Sequence, residues 1–141
     1  MIVMDCSAAI NIVRATPEGR GLRGLMVIDE RCLAPDLFRA EAANALTKYV
    51  RAGQMNHSEA LGLFCKATAL VNEFHPLSEN DVEALSEACR LGHSVYDMFY
   101  FTLARRYGAT LFTEDRRLIE LCDREGVECI HPTRLSAPDR P

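Results

Sequence analysis

The sequence predicts one α/β domain, a five-stranded and mainly parallel sheet with helices on both faces. Two observations carry this. Short apolar runs alternate with longer stretches of helical periodicity along the whole chain, and a strand that crosses over through a helix returns parallel to its predecessor. No linker, repeat or low-complexity segment divides the 141 residues, a length that one core accommodates.

Each element has its own signal. IVM, ahead of Asp5, reads as a buried strand, and SAAINIV as a helix that Ser7 is placed to cap. Pro17 opens a short helix through GLRGLMVI, and CLAP is the second strand. Pro35 then leads into a long helix over 36–52, ended by Gly53, with Phe38, Ala42, Ala45, Leu46 and Tyr49 sharing one face. Ser58 begins a helix to about residue 73, and FHPL is a weak third strand. SENDVEALSEACRLG is a helix with capping candidates at its start and Gly92 as its stop. VYDMFYFTLARRYG reads as helix, ATLFT as strand, EDRRLIELCDREG as helix and VECIH as the last strand. The domain therefore runs over residues 1–131, and the proline-rich PTRLSAPDRP, 132–141, reads as an irregular tail.

Composition narrows the function. With 16 basic and 20 acidic residues the net charge is −4, which argues against a long nucleic-acid-gripping surface. A short footprint or a locally basic rim is the expectation instead. No apolar run approaches the roughly 20 residues of a membrane helix, and MIVMDCSAA lacks the basic start of a secretory signal, so a cytoplasmic location with no membrane contact is expected. Cys6, Cys32, Cys65, Cys89, Cys122 and Cys129 are widely spaced without a CxxC pair, as buried free thiols in a reducing compartment would be. His57, His75, His93 and His131 form no ligand-spaced pair, which argues against zinc.

The chemistry lies in the carboxylates. In an open parallel sheet the site lies beyond the carboxyl ends of the strands, where strand order reverses. Asp5 ends the first strand, and Asp115 stands just after ATLFT at the mouth of the next helix. Asp97 is in the first turn of its helix, and Glu41 is on the inner side of the long helix. Like charges packed together repel, and a divalent cation removes that conflict; magnesium prefers such oxygen donors and bridges to phosphate. A metal held this way serves phosphodiester hydrolysis. On spacing alone the separate explanations stand equally well: Asp97 and Asp115 as N-caps, Glu41 as a solvated helix residue, Asp5 as a turn former.

Motif context favours the shared site. MIVMDCSAA resembles the opening of the PIN-domain family, an apolar strand followed by Asp-x-Ser. APDLFRAEAANAL is similar to its second motif, a Glu followed three residues later by Asn, and VYDMFYFTLARRYGATLFTEDRRL to its third and fourth. The order and spacing resemble the small VapC-type toxins over nearly the whole chain. The resemblance implies a magnesium-dependent ribonuclease, with manganese as a substitute, whose metal-binding and catalytic acids are Asp5, Glu41, Asp97 and Asp115. Ser7, Asn44 and Thr113 would be supporting polar groups. It also implies an RNA substrate, a homodimer and a cognate VapB-type antitoxin whose C-terminal segment blocks the acidic pocket. Cys6 and Met98 stand where Thr and Ala are common in the family; neither is at a ligand position.

Some features have two readings. Arg116, at a helix start beside Asp115, is a substrate-binding candidate because guanidinium grips phosphate, or else a solvated or ion-paired residue, and Arg105, Arg106 and Arg117 are weaker candidates. Tyr96, Phe99, Tyr100 and Phe101 stack on bases or, more commonly at this spacing, serve as core or subunit interface. Lys48 shares a helical face with Glu41 and Asn44 and is expected to neutralise Glu41 rather than reach substrate. The alternatives to a nuclease are an inert PIN-like binding module and a magnesium-binding receiver domain. The receiver is weakened because it needs a lysine late in the chain, whereas Lys48 and Lys66 are both mid-chain.

Overall fold

The computed structural model describes residues 1–130; His131 and the expected tail at 132–141 lie outside the described residues. The strands are β1 (Ile2–Met4), β2 (Cys32–Pro35), β3 (Glu73–His75), β4 (Thr110–Phe112) and β5 (Cys129–Ile130). They form one five-stranded sheet in the order β3-β2-β1-β4-β5, and every pairing is parallel. The helices are α1 (Cys6–Val13), α2 (Pro17–Leu25), α3 (Leu37–Arg51), α4 (His57–Ala69), α5 (Asp81–Leu91), α6 (Val95–Tyr107) and α7 (Arg116–Glu125). The chain first winds outward through β2 and β3, then returns to the other side of β1. Right-handed crossovers put helices on opposite faces for the two directions of travel. Accordingly α1 to α4 pack among themselves, as do α5 to α7.

Burial follows the strand runs. Val3, Met4, Leu33, Ala34 and Leu111 have no solvent exposure, and neither do Phe38 and Ala42 of α3 or Phe101 and Leu103 of α6. Four of the six cysteines are buried; Cys65 and Cys89 lie on the outer faces of α4 and α5 and are exposed, contrary to expectation.

Several element ends differ from those expected, for local reasons. Asp5, not Ser7, caps α1, by accepting from the Ser7 backbone N–H. The second helix stops at Leu25, and Val27 and Ile28 beyond it are exposed; the apolar run there meets no partner face. The fourth starts at a capping Asn56 and ends at Ala69. It does not reach residue 73 because Asn72 is clamped to the sheet edge: its N–H donates to the Cys32 carbonyl at 2.8 Å, and its side-chain oxygen accepts from the Cys32 N–H at 2.7 Å. Asn80 makes no cap bond for α5. Its buried amide donates instead to the Phe99 carbonyl at 3.0 Å and the Thr102 hydroxyl at 2.9 Å, which pins α5 to α6.

One close approach matters for the site. A Cβ on Gly19 of α2 would overlap the backbone carbonyl of Asn11 on α1, and Asn11 lines the main cleft. Gly19→Ala should therefore lower stability by about 3 kcal/mol, the upper end for overpacking. Gly62→Ala, built into open space on α4, should raise stability by up to about 1 kcal/mol through helix propensity. Urea melts of the two variants test the contrast.

Candidate active site

Strand order reverses between β1 and β4, so a crevice must open beyond their carboxyl ends. Parallel pairing sets Met4 opposite Phe112, and the Asp5 N–H donates to the Phe112 carbonyl at 2.9 Å. Asp5 and Thr113 thereby leave the sheet side by side. The buried Thr113 hydroxyl donates to Asp5 Oδ2 at 2.5 Å and accepts the Asp115 N–H at 3.1 Å. The Ser7 N–H and hydroxyl reach Asp5 at 3.3 and 3.4 Å, while the Ser7 oxygen accepts the Glu114 N–H at 3.3 Å. Asp115 caps α7, accepting from the N–H groups of Arg117 and Leu118 at 2.9 and 3.1 Å. Capping and site placement are thus not exclusive for Asp5 and Asp115.

The other two acids come from helices of opposite layers. Glu41 on α3 is half-buried and accepts from the Tyr100 hydroxyl of α6 at 2.7 Å. Asp97, in the first turn of α6, lies 2.8 Å from the ring Nε2 of His93. Asp5, Glu41, Asp97 and Asp115 all line one cleft of about 740 Å³, together with Ser7, Asn44 and Lys48, while Thr113 lies buried behind Asp5. They ring the cleft rather than close on a point: among the described residues no three His, Cys, Asp or Glu side chains are drawn together into a ready-made metal site.

The charges in this ring oppose one another. Burial, with the Glu41 and Asp97 carboxylates adding to it, raises Asp5 from 3.8 to about 6, despite the opposing bonds from Thr113 and Ser7. Glu41 is raised by burial and by Asp97, against the Tyr100 bond; Asp97 is raised by burial and by Asp115, against His93 and Arg117. Burial also pushes the Tyr100 phenol far above its ordinary range, which keeps it a donor to Glu41. The Cys6 thiol is pushed up to about 12 by burial and by the Asp5 and Glu41 carboxylates, so it is no thiolate nucleophile.

Not every expected contributor joins. Arg116 is exposed at the start of α7 and is not among the cleft-lining residues. Arg105 and Arg106 are ion-paired to Glu83, Glu87 and Glu79. Lys48 lines the cleft but does not ion-pair with Glu41, whose partner is Tyr100. Tyr100 and Phe101 are buried, Phe99 is half-buried and Tyr96 is exposed. Sequence reasoning missed three contributors: the Tyr100 hydroxyl, His93, and Glu114, whose carboxylate takes the Asn11 amide and lines the cleft. His93 stands four residues before Asp97, which was an available signal for its contact; Tyr100 meets Glu41 from another helix, which spacing does not show.

A model of the PIN domain matches residues 2–124 of the chain. The chain belongs to the PIN-domain family. Among its relatives, ribonuclease VapC12 of Mycobacterium tuberculosis is 32% identical over 124 residues, 85% of this chain and 91% of the relative. Ribonuclease VapC3 of Pyrobaculum aerophilum is 35% identical over 91 residues, 60% of this chain and 66% of the relative. A solved protein from Pyrobaculum aerophilum superposes with a TM-score of 0.67 at 25% identity, over 84% of this chain and 82% of that one. VapC20 of Mycobacterium tuberculosis, described as a sarcin-ricin loop cleaving toxin, gives 0.65 at 14% identity over 86% and 95%, a likeness of fold alone. The PIN fold expected from the motifs is thus the fold observed.

The raised Asp5 carboxyl makes a stability prediction. Between pH 4 and 6 the folded chain holds a proton that the unfolded chain has released, so stability present below pH 4 is lost as pH rises through about 6. At about 1.4 kcal/mol per pKa unit the loss is about 3 kcal/mol. In EDTA, Asp5→Asn should melt with the native protein at pH 4 and several degrees above it at pH 7, as read by calorimetry. A gap that does not change with pH would show that Asp5 is not the group responsible.

Proposed function

We propose that this PIN-domain protein is a magnesium-dependent endoribonuclease, with manganese able to substitute, and the toxin half of a type II VapBC toxin–antitoxin pair. The observation that carries the reading is the convergence of Asp5, Glu41, Asp97 and Asp115 on one cleft with no Lys or Arg ion-paired to any of them among the described residues. Carboxylates raised by burial and by their neighbours' charge call for a cation, and an all-oxygen donor set favours a hard one. A ring too open to enclose an ion suits one that keeps part of its water shell, as magnesium does. When bound, magnesium supplies the Lewis-acid chemistry of phosphodiester hydrolysis.

The chain's own contribution is orientation. Thr113 and Ser7 fix the Asp5 carboxylate, Tyr100 fixes Glu41, and His93 fixes Asp97. Asn44, on the cleft wall beside Glu41, is placed to hold water or substrate. The names of the relatives, ribonucleases VapC12 and VapC3, support RNA as the substrate. The resemblance to VapC toxins supports a homodimer and a VapB-type antitoxin, which would fill the cleft with a basic side chain, and a solved VapBC-1 complex from Haemophilus influenzae shares the fold at a TM-score of 0.63. No helix among the described residues is long and apolar enough to cross a membrane.

Purified protein should cut RNA with Mg²⁺ or Mn²⁺ and stop in EDTA, leaving 5′-phosphate and 3′-hydroxyl ends because water is the nucleophile. Full activity in chelator, or 2′,3′-cyclic phosphate ends, would contradict the mechanism. Asp5→Asn and Asp97→Asn should each reduce turnover by orders of magnitude with the fold intact. Asn44→Ala, Thr113→Ala and Tyr100→Phe should cost about 10–100-fold, the usual range for groups that orient ligands. Expression without the partner should arrest growth, and the Asp5→Asn form should not; arrest by both would mean that binding rather than cleavage does the harm.

A further inference from the structure

The cleft has a second end. From Glu41 the lining residues of α3 continue through Asn44, Ala45, Lys48 and Tyr49 to Ala52 just past its end, steps of three and four that trace one stripe along the helix. The adjacent stripe, Phe38, Ala42 and Leu46, is buried in the core, and Ala45 and Tyr49, half-buried, border it. The helix therefore forms a wall whose exposed stripe leads away from the acids for two turns, about 10 Å from Glu41 to Lys48.

Among the described residues that line this cleft Lys48 is the only Lys, Arg or His, and the cleft also presents Asp5, Glu41, Asp97, Glu114 and Asp115. Its ammonium is exposed and makes no ion pair among the described residues, although Glu41 lies on the same stripe. Glu41 accepts from the Tyr100 hydroxyl instead, and no ion pair joins it to Lys48 among the described residues, so the lysine is left for another anion. Near Lys48 the Arg14 guanidinium lies 4.4 Å from the ring centroid of Tyr49, another lining residue, which sets a second positive charge against the same wall. An acidic crevice repels a polyanion, and one uncommitted cation at its far end gives the strand a point of attachment one step from the reacting bond.

We infer that Lys48 binds an RNA backbone phosphate adjacent to the scissile one, with Gln54 and Asn44 as neighbouring amides, so that α3 sets the path of the single strand through the cleft; this rests on the ribonuclease reading above. A lysine acts here as a point charge and makes no base contact, so the site serves affinity and register, not sequence choice.

The test is a salt titration of binding. A fluorescein-labelled short single-stranded RNA of random sequence is bound by Asp5→Asn protein in Mg²⁺, followed by anisotropy, with Lys48→Met, Lys48→Arg or Lys66→Met added. Loss of one phosphate contact should weaken binding about 5–10-fold and flatten the plot of log affinity against log salt by about 0.7. Lys48→Arg should keep the parent slope, and Lys66→Met, on the exposed face of α4, should change neither quantity. An unchanged slope for Lys48→Met overturns the assignment while leaving the ribonuclease reading intact, since the native protein's Mg²⁺-dependent cleavage is scored separately. If Lys48→Met binds RNA normally but the antitoxin no longer restores growth, the lysine serves a protein partner and the inference is wrong. A native protein that does not cut RNA, together with an Asp5→Asn parent that does not bind it, removes both readings together.

Discussion

The buried bond from the Thr113 hydroxyl to Asp5, 2.5 Å long, joins the ends of two strands whose residues lie 108 positions apart in the chain. The parallel pairing of β1 with β4 makes it possible, because Met4 opposite Phe112 leaves residues 5 and 113 adjacent beyond the sheet. Everything else in the cleft is referred to that junction. Thr113 holds the backbone of Asp115, Ser7 holds the backbone of Glu114, and Asp5 begins α1 as its cap. A carboxylate that would otherwise be repelled from a buried position is kept there by three donors. The cost shows as its raised pKa.

The two helical layers close the site from either side. Glu41 arrives on α3 and Tyr100 on α6, and their hydrogen bond crosses the carboxyl edge of the sheet from one layer to the other. Tyr100 is at once one of the largest fully buried side chains and a donor to a cleft acid, so packing and site geometry share a residue. Asp97, in the first turn of α6, is likewise oriented by His93 from the turn just before that helix. A charged site is thus positioned by groups whose main work is to fold the chain.

Much of this was legible in the sequence because it is local. Four of the five strands lie in largely apolar runs, β3 (Glu73–His75) being the weak exception, and Gly92, Gly108 and Gly126 end α5, α6 and α7 in the left-handed conformation that glycine tolerates. The four acids stood out through the resemblance to the PIN-domain motifs, since placement alone left Asp97 and Asp115 equally well read as caps. What the sequence hid depends on contacts between distant segments. Asn72 ends α4 early by bonding to Cys32, forty residues away, and Asn80 gives up capping for Thr102. Lys48 has the spacing of a Glu41 partner, yet Tyr100, 59 residues from Glu41, makes the contact instead. Spacing along one helix shows which groups share a face; it does not show what another helix brings to it.

The central claim is that burial and neighbouring carboxylates raise Asp5, Glu41 and Asp97 in the cleft, and that a divalent cation relieves them. Carbon-detected NMR of the Asp5 side-chain carboxyl during a pH titration, without metal and then with Mg²⁺, tests it most directly. The account predicts a midpoint near 6 without metal and a fall to below the ordinary value of 3.8 once Mg²⁺ is added. A midpoint near 3.8 in both titrations would contradict it.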